Sequence, residues 1–290
     1  MYWGVQLNGV TFGWPDKPIA DKMDIGFDFG LFSGRLPIIG PSGIGKSTLL
    51  YILSGLMNPS SGTVSWRFPD GEVYAWSAEG RSVRDMRGER AHLRHGRFSF
   101  SFQEDALLPY LTVQENLLYP LEIHASRTGT TLAGSSERIA AILDDVLNDG
   151  DGGAAEIAAR YPNQLSGGQR RRIALAQAMI TDPTVLFADE PCGGLDPDTR
   201  REVMQVVDDW IDNATPRGSR AFVWVTHHRD EDEFDKAPWM VELSFVKRPV
   251  GEKRQPDELP KVVFALRKRQ EITGPPRRGG AAASNELSWR

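Results

Sequence analysis

Nine consecutive residues near the start of the chain, Gly40-Pro41-Ser42-Gly43-Ile44-Gly45-Lys46-Ser47-Thr48, could do chemistry together. They fit the spacing G-x-x-x-x-G-K-[ST]. Glycines there let the backbone wrap closely around phosphate oxygens and turn a row of N–H groups inward. Lys46 would reach the β- and γ-phosphates of a nucleoside triphosphate, and the Ser47 hydroxyl is placed to bind Mg²⁺. The flanks agree with this reading. LPIIG in front reads as a short buried strand, in which Pro37 must sit where no ladder N–H is needed. STLLYILSGL behind reads as a helix, with Leu49, Leu50, Ile52, Leu53 and Leu56 largely on one face. Its N-terminus would place partial positive charge under the phosphates.

Two further stretches carry chemistry. TVLFADE is an apolar strand that ends in Asp189 and Glu190. Alone it could be a strand running into a solvated acidic turn. Beside a phosphate loop, Asp189 would hold Mg²⁺, directly or through water, and Glu190 would polarise an attacking water as general base. In QLSGGQRRRIALAQAM, Ser166-Gly167-Gly168-Gln169 opens a helix whose apolar residues include Ile173, Leu175, Ala176 and Met179. A small-residue turn at a helix N-terminus is a second anion site. The plainer alternative is a Ser/Gly N-cap with Arg170, Arg171 and Arg172 on a solvated face. One chain does not easily bring two helix N-termini onto a single γ-phosphate. Two chains arranged head to tail can.

The elements that must position these residues follow from hydropathy patterning. Residues 1–39 are β-rich, with alternating segments such as YWGVQLNGVTF. TVSWRFPDGEVYAWS reads as a hairpin turning at Pro69-Asp70-Gly71. RFSFSFQ alternates Phe and Ser up to Gln103. A mostly helical stretch runs from about Thr112 to Ile180, interrupted at SRTGTTLAGSS and NDGDGGAAE. TVLFAD and AFVWVTHH are strands joined by the helix DTRREVMQVVDDWI, the strand–helix–strand rhythm of a parallel sheet. The net charge of −5 shows no basic excess of the kind nucleic-acid binding needs. Charge is uneven, however: from Lys247 onward there are 11 Lys/Arg against 5 Asp/Glu, out of 34 and 39 in the whole chain. KVVFALRKRQ in that basic tail reads as an amphipathic segment able to meet an anionic membrane or a partner, or as part of a solvated extension. The single cysteine, Cys192, allows no intrachain disulfide and suits a reducing compartment. No apolar run approaches the ~18 residues that span a bilayer, and the N-terminus does not read as a secretory signal.

These motifs together resemble the ATP-binding-cassette (ABC) ATPases. The phosphate loop is GPSGIGKST, the glutamine loop begins at Gln103, the signature is LSGGQ and the carboxylate strand is VLFADEP. The dimer-facing loop is GGLDP with Asp196, and the switch histidine is His227 in VTHH. They occur in the family's order across residues 1–243. The resemblance implies an α/β fold, a RecA-like P-loop NTPase core with an antiparallel β subdomain (1–103 and 181–246) and an inserted helical subdomain (104–180). A basic, flexible extension would occupy 247–290. It further implies that Trp14 stacks on adenine, with Phe12 competing for that role, and that Lys46 and the loop residues Gly40 to Thr48 hold the phosphates. Ser47, Gln103 and Asp189 would bind Mg²⁺. Ser166, Gly167, Gly168 and Gln169 of a second copy would close over the γ-phosphate, with Asp196 at the dimer contact. Glu190, His227, Gln103 and Lys46 would carry ATP hydrolysis. Some positions depart from the pattern. His228 stands where aspartate is usual, leaving it open which histidine faces the phosphate. Cys192, Gly193, LAQAM and Pro37 are also unusual.

The same resemblance suggests the partners. SFQEDALLPYLTVQENLLYPLEI, with Glu115-Asn116 and Pro120-Leu121, is similar to ATPases of the lipoprotein-releasing and macrolide-export type, importers being the alternative. Either machine implies a homodimer working on an integral membrane permease at the cytoplasmic face of the inner membrane, with no nucleic acid. The surface from Gln103 to Leu118, including Leu107, Leu108, Tyr110 and Leu111, would accept a permease helix or else form helical core. A soluble ABC ATPase acting on nucleic acid, or a regulatory cassette that binds ATP without turnover, fits less well. The chain shows one cassette with an acidic body, and Glu190 and His227 are both present.

Overall fold

The strand expected before the phosphate loop lies at the centre of the molecule. In this computed structural model, which describes residues 3–14, 17–78, 93–102, 107–148, 150–227, 236–245 and 262–268, β3 (Arg35–Ile39) is buried at every position. It runs parallel to β8 (Ala221–Thr226) on one side and β9 (Trp239–Phe245) on the other. β7 (Val185–Asp189) and β6 (Phe98–Ser101) extend the sheet in parallel, and β10 (Val262–Lys268) closes the far edge antiparallel to β9, giving the order β10-β9-β3-β8-β7-β6. Pro37 fits in this central strand for a reason of parity. The Phe222 amide donates to Gly34 O, so even-numbered residues of β3 face β8. Pro37 turns its nitrogen toward β9, where pairing starts only at Ile38.

Both faces of this sheet are covered, so its strands are apolar throughout rather than alternating with polar residues. The alternation survives as a choice of core. Val185, Phe187, Ala221, Val223 and Val225 pack on one side, whereas Leu186, Ala188, Phe222 and Trp224 pack on the other. The first side meets α1 (Lys46–Leu53) and a four-stranded antiparallel sheet, β1 (Gly4–Trp14), β2 (Lys17–Asp28), β4 (Ser61–Arg67) and β5 (Val73–Ser77), in the order β2-β1-β4-β5. The expected β4–β5 hairpin turns at Asp70-Gly71, with the Gly71 amide donating to Phe68 O and the Glu72 amide to Asp70 Oδ1. α1 ends at Leu53, short of the Leu56 the hydropathy pattern reaches. There the buried Trp66 indole donates to Leu53 O at 2.8 Å and Gly55 takes a φ of 69°. One side chain thus satisfies a terminal carbonyl and fixes the helix against β4.

The second side carries the helices: α2 (Val113–Thr128), α3 (Ser135–Val146), α4 (Ala154–Ala158), α5 (Gly167–Met179) and α6 (Pro197–Asp212). α2 begins with a full capping box, Thr112 with Glu115. Pro120 sits inside it and cannot donate to Asn116 O four residues back. Gln177 of α5 supplies the missing donor, its Nε2 lying 2.9 Å from that carbonyl. The Asn116 side chain in turn receives the Leu108 amide and donates to Leu108 O, Leu111 O and Thr112 O, tying the preceding loop to the helix. The Pro120-Leu121 pair, read above as a mark of an export subgroup, thus has a local packing account. Leu121 lies in the helical core.

β10 departs from the expected tail. Part of KVVFALRKRQ is neither a solvated extension nor an amphipathic segment offered to a membrane. Val262, Phe264 and Leu266, spaced by two, pack on the core, and Phe264 meets Phe12 with ring centroids 6.1 Å apart. The basic residues stay at the surface, Arg267 pairing with Glu242 and Lys268 lying over Trp239. The period is that of a strand, and pairing with β9 uses it.

Gln177→Leu should lower stability by about 1–3 kcal/mol, because the buried Asn116 carbonyl loses its donor. In a Pro120→Ala background, which restores an amide to that carbonyl, the same change should be clearly milder. Urea unfolding of the four proteins measures the difference, and equal losses in both backgrounds would refute the pairing.

Candidate nucleotide site

The phosphate loop links the end of β3 to the start of α1, and its glycines have specific reasons to be there. A Cβ on Gly40 would stand 2.6 Å from Leu243 O, and φ is 153°. Gly45 has a φ of 106° and lies against Ile19, where a Cβ would come within 2.4 Å of Cγ2. Gly45 also caps α1 with no side-chain acceptor, so the first-turn amides are not claimed by a capping side chain. That is the arrangement an anion needs. Lys46 arches back over the loop, its Nζ 2.9 Å from Gly40 O and 3.0 Å from Pro41 O. Burial pushes its ammonium below the usual lysine range, with Glu190 and Asp189 acting in the opposite sense.

Asp189 ends β7 next to this loop and is nearly buried, at 6% exposure. Its Oδ1 accepts from Ser47 Oγ at 3.1 Å. A hydroxyl and a carboxylate side by side are hard oxygen donors and fit Mg²⁺, which takes few protein ligands and fills its shell with water and phosphate oxygens. Consistent with so sparse a donor set, no group of three or more His, Cys, Asp or Glu arranged to hold a metal occurs among the described residues. Glu190 follows at a φ of 50°, strained for a residue with a side chain. Its amide donates to Val225 O and its carbonyl accepts from the Gly193 amide. That turn brings Glu190 Oε1 to 2.9 Å from His227 Nδ1. Lys46, Ser47, Asp189, Glu190 and His227 therefore converge, with the paired histidine being His227. His228 lies outside the described residues.

The signature turn is built as a capping box. The Gln169 amide donates to Ser166 Oγ at 3.1 Å, and the Ser166 amide donates to Gln169 Oε1 at 2.9 Å. The glutamine is thus committed to the fold, and its Nε2 continues to Asp151 Oδ1 at 3.0 Å. Arg172, on the same helix, also reaches Asp151, at 2.6 Å. Burial works against the Asp151 charge, but the Asn148 amide, Gln169 and Arg172 hold its carboxyl below the usual range. Ser166 and Gly167 face solvent, and among the described residues no hydrogen bond joins the turn to the phosphate loop. Gly168 lies under Thr199, where a Cβ would meet Cγ2 at 2.7 Å. Thr199 in turn bonds Asp196, which caps α6 through the Asp198 and Thr199 amides. Gln103 lies outside the described residues. Trp14 ends β1 opposite Lys17, with its side chain outside them too. Phe12, the competing aromatic, is 2% exposed and belongs to the core.

Two residues that motif spacing did not single out hold the site together. Arg171, which the plainer alternative put on a solvated face, is 4% exposed. It donates to Glu190 O at 2.7 Å, Phe102 O at 3.1 Å and Pro191 O. Tyr51 Oη donates to the other oxygen of Asp189 at 3.2 Å. Arg171 looked solvated because three arginines follow one another, and only the helix's packing sorts them.

A phosphate loop feeding α1, a carboxylate strand beside it and a serine–glycine turn on an inserted helix define a phosphate-loop ATPase cassette. The family described as ABC transporter matches residues 27–193, and the chain belongs to it. It is similar to the sulfate/thiosulfate import ATP-binding protein CysA of Vibrio cholerae serotype O1, with 35% identity over 214 residues, 74% of this chain and 48% of that protein. CysA 1 of Agrobacterium fabrum is 33% identical over 228 residues, 78% of this chain and 57% of that protein. The chain thus spans about half the length of the curated relatives it matches. Among solved structures it resembles the dimeric structure of MJ0796, a bacterial ABC transporter cassette, with a TM-score of 0.62 and 27% identity over 82% of this chain and 93% of that one. CbiO1 from Clostridium perfringens, part of the ABC transporter complex cbiONQ, gives a TM-score of 0.66 over 94% and 91% at 18% identity, which supports the fold alone.

Arg171→Leu should lower the unfolding free energy by about 2 kcal/mol or more, since the buried Pro191 carbonyl and the part-buried Phe102 and Glu190 carbonyls each lose a donor. Arg171→Lys should recover part of it. Calorimetry against Arg201→Leu, a change at a 57% exposed arginine, gives the comparison. Equal losses at the two positions would sink the bridging role.

Proposed function

We propose that this chain is the ATP-hydrolysing subunit of an ABC importer, acting as a head-to-tail homodimer beneath an integral membrane permease. The observation that carries the ATPase reading is the convergence of Lys46, Ser47, Asp189, Glu190 and His227 at the carboxyl edge of the parallel sheet. Lys46 and the loop amides from Gly40 to Thr48 hold the triphosphate. Ser47 and Asp189, with Gln103, would hold Mg²⁺, which when bound would supply charge neutralisation for the phosphates. Glu190 accepts the proton of the attacking water, and His227 orients that carboxylate through its Nδ1. Trp14 stacks on adenine. The solvent-facing Ser166 and Gly167, followed by Gly168, serve the nucleotide of the second copy, and Gln169 holds that turn in shape through its capping box. Asp196 stands at that dimer contact.

The importer reading rests on the relatives, whose names are those of sulfate and thiosulfate import ATPases. It replaces the lipoprotein-releasing and macrolide-export reading of Pro120-Leu121. A pocket of about 300 Å³ between β6, α2 and α5, lined by Leu56, Phe100, Pro120, Ile123 and His124 together with Ser54, Ser99 and Gln177, is of a size to take one side chain of a permease helix. Tyr110 beside α2 is 89% exposed and Leu108 42%, whereas Leu107 belongs to the helical core. Among the described residues no helix is long and apolar enough to cross a membrane. The permease would hold the chain at the cytoplasmic face of the inner membrane.

Glu190→Gln should lower turnover at least about 100-fold while leaving ATP bound and the dimer trapped on gel filtration. Turnover at the parental rate would show that Glu190 is not the base. Ser166→Arg should abolish turnover with ATP binding to the single chain intact, and unchanged turnover would remove the head-to-tail arrangement. Capture of the Glu190→Gln protein from solubilised membranes should bring a multi-span permease. A permease with a large extracytoplasmic domain would return the reading to the export type, and soluble partners alone would end the transporter reading.

A further inference from the structure

Asp189 has two carboxylate oxygens, and each has its own partner. Oδ1 takes the Ser47 hydroxyl at 3.1 Å and Oδ2 takes the Tyr51 hydroxyl at 3.2 Å. Ser47 and Tyr51 stand four residues apart on α1, hence on the same face, turned toward β7. With Asp189 only 6% exposed, water cannot easily replace either bond. The tyrosine is itself fixed. Its ring meets Phe100 at 5.7 Å, and Phe100 stacks on Phe187, two residues before Asp189 on β7, at 6.0 Å and 14°.

We propose that Tyr51 is a positioning residue for the metal-holding carboxylate, locking Asp189 with Oδ1 toward Ser47. The proposal rests on Asp189 being the Mg²⁺-holding group. A carboxylate is free to spin about its last torsion, which is broad and two-fold. Anchoring one oxygen from outside the coordination sphere leaves the other pre-aimed, as outer-shell hydrogen bonds do at metal centres generally. Tyr51 does this from the same helix that supplies Ser47, so both metal-facing groups are set by the position of α1.

The test uses Mn²⁺ as probe, with electron paramagnetic resonance of the full chain at saturating ADP. Tyr51→Phe keeps the ring and removes only the hydroxyl. It should weaken Mn²⁺ binding about ten-fold, with ADP affinity in EDTA unchanged. Asp189→Asn should remove the protein-dependent binding altogether. Loss in Asp189→Asn with none in Tyr51→Phe would overturn the role of Tyr51 and keep the metal assignment. No loss in either would overturn the metal assignment and the proposal with it. Tyr51→Leu, which also removes the ring, should weaken Mn²⁺ binding no further than Phe does. A much larger loss in Leu would assign the effect to ring packing and overturn the hydroxyl's role.

Discussion

A buried guanidinium must be surrounded by acceptors, because a charge withdrawn from water is costly unless fully bonded. Among the described residues, Arg171 meets that condition with backbone carbonyls. It takes the backbone carbonyls of Phe102, just past β6, and of Glu190 and Pro191, just past β7. Strand ends are where carbonyls lose their ladder partners. One side chain of α5 therefore finishes two strands and at the same time fixes the helix against them. The serine–glycine turn at the start of α5, the Glu190 turn after β7 and the end of β6 share one point of reference. Neighbouring Arg172 faces the other way, to Asp151, so consecutive arginines divide the work between sheet and loop.

Glu190 shows what that framework sustains. A left-handed backbone at a glutamate costs of order 1 kcal/mol or more and persists only where the surroundings over-determine it. Here the amide is held by Val225 O and the carbonyl by Gly193 and Arg171. The reversal breaks the alternation of β7. Asp189 and Glu190, adjacent in sequence, address different partners: the first Ser47 and Tyr51, the second His227.

Much of this was legible in the sequence because its causes are local. Glycines at Gly40 and Gly45 answer to backbone approach, and the buried strands show as short apolar runs. Ser166 through Gln169 form the N-cap that was the plainer of two readings, because Ser and Gln at that spacing bond each other's amides locally. Less legible were features whose partners are remote in sequence. Nothing around Tyr51 marks it, since Asp189 lies 138 residues away. β10 was hidden by the basic residues that flank its apolar alternation and by its separation from β9. Pro37 looked like a fault in a central strand until the sheet order showed which side its nitrogen faces. The export subgroup rested on Pro120-Leu121, a pair that answers to packing between two helices, which different machines can share.

The bond from Gln177 to Asn116 has a mechanical side. α2 lacks one of its own rungs and borrows it from α5, so the two helices cannot slide past each other without baring a buried carbonyl. Sliding is thereby disfavoured by about 1–3 kcal/mol relative to joint movement. Pro120 walls the pocket at one end of that pair. Along α5, Ser166 lies eleven residues from Gln177, about 16 Å at the rise of an α-helix. Any load taken at the pocket is thus delivered to the solvent-facing serine at the far end of a stiff arm, as displacement rather than as deformation.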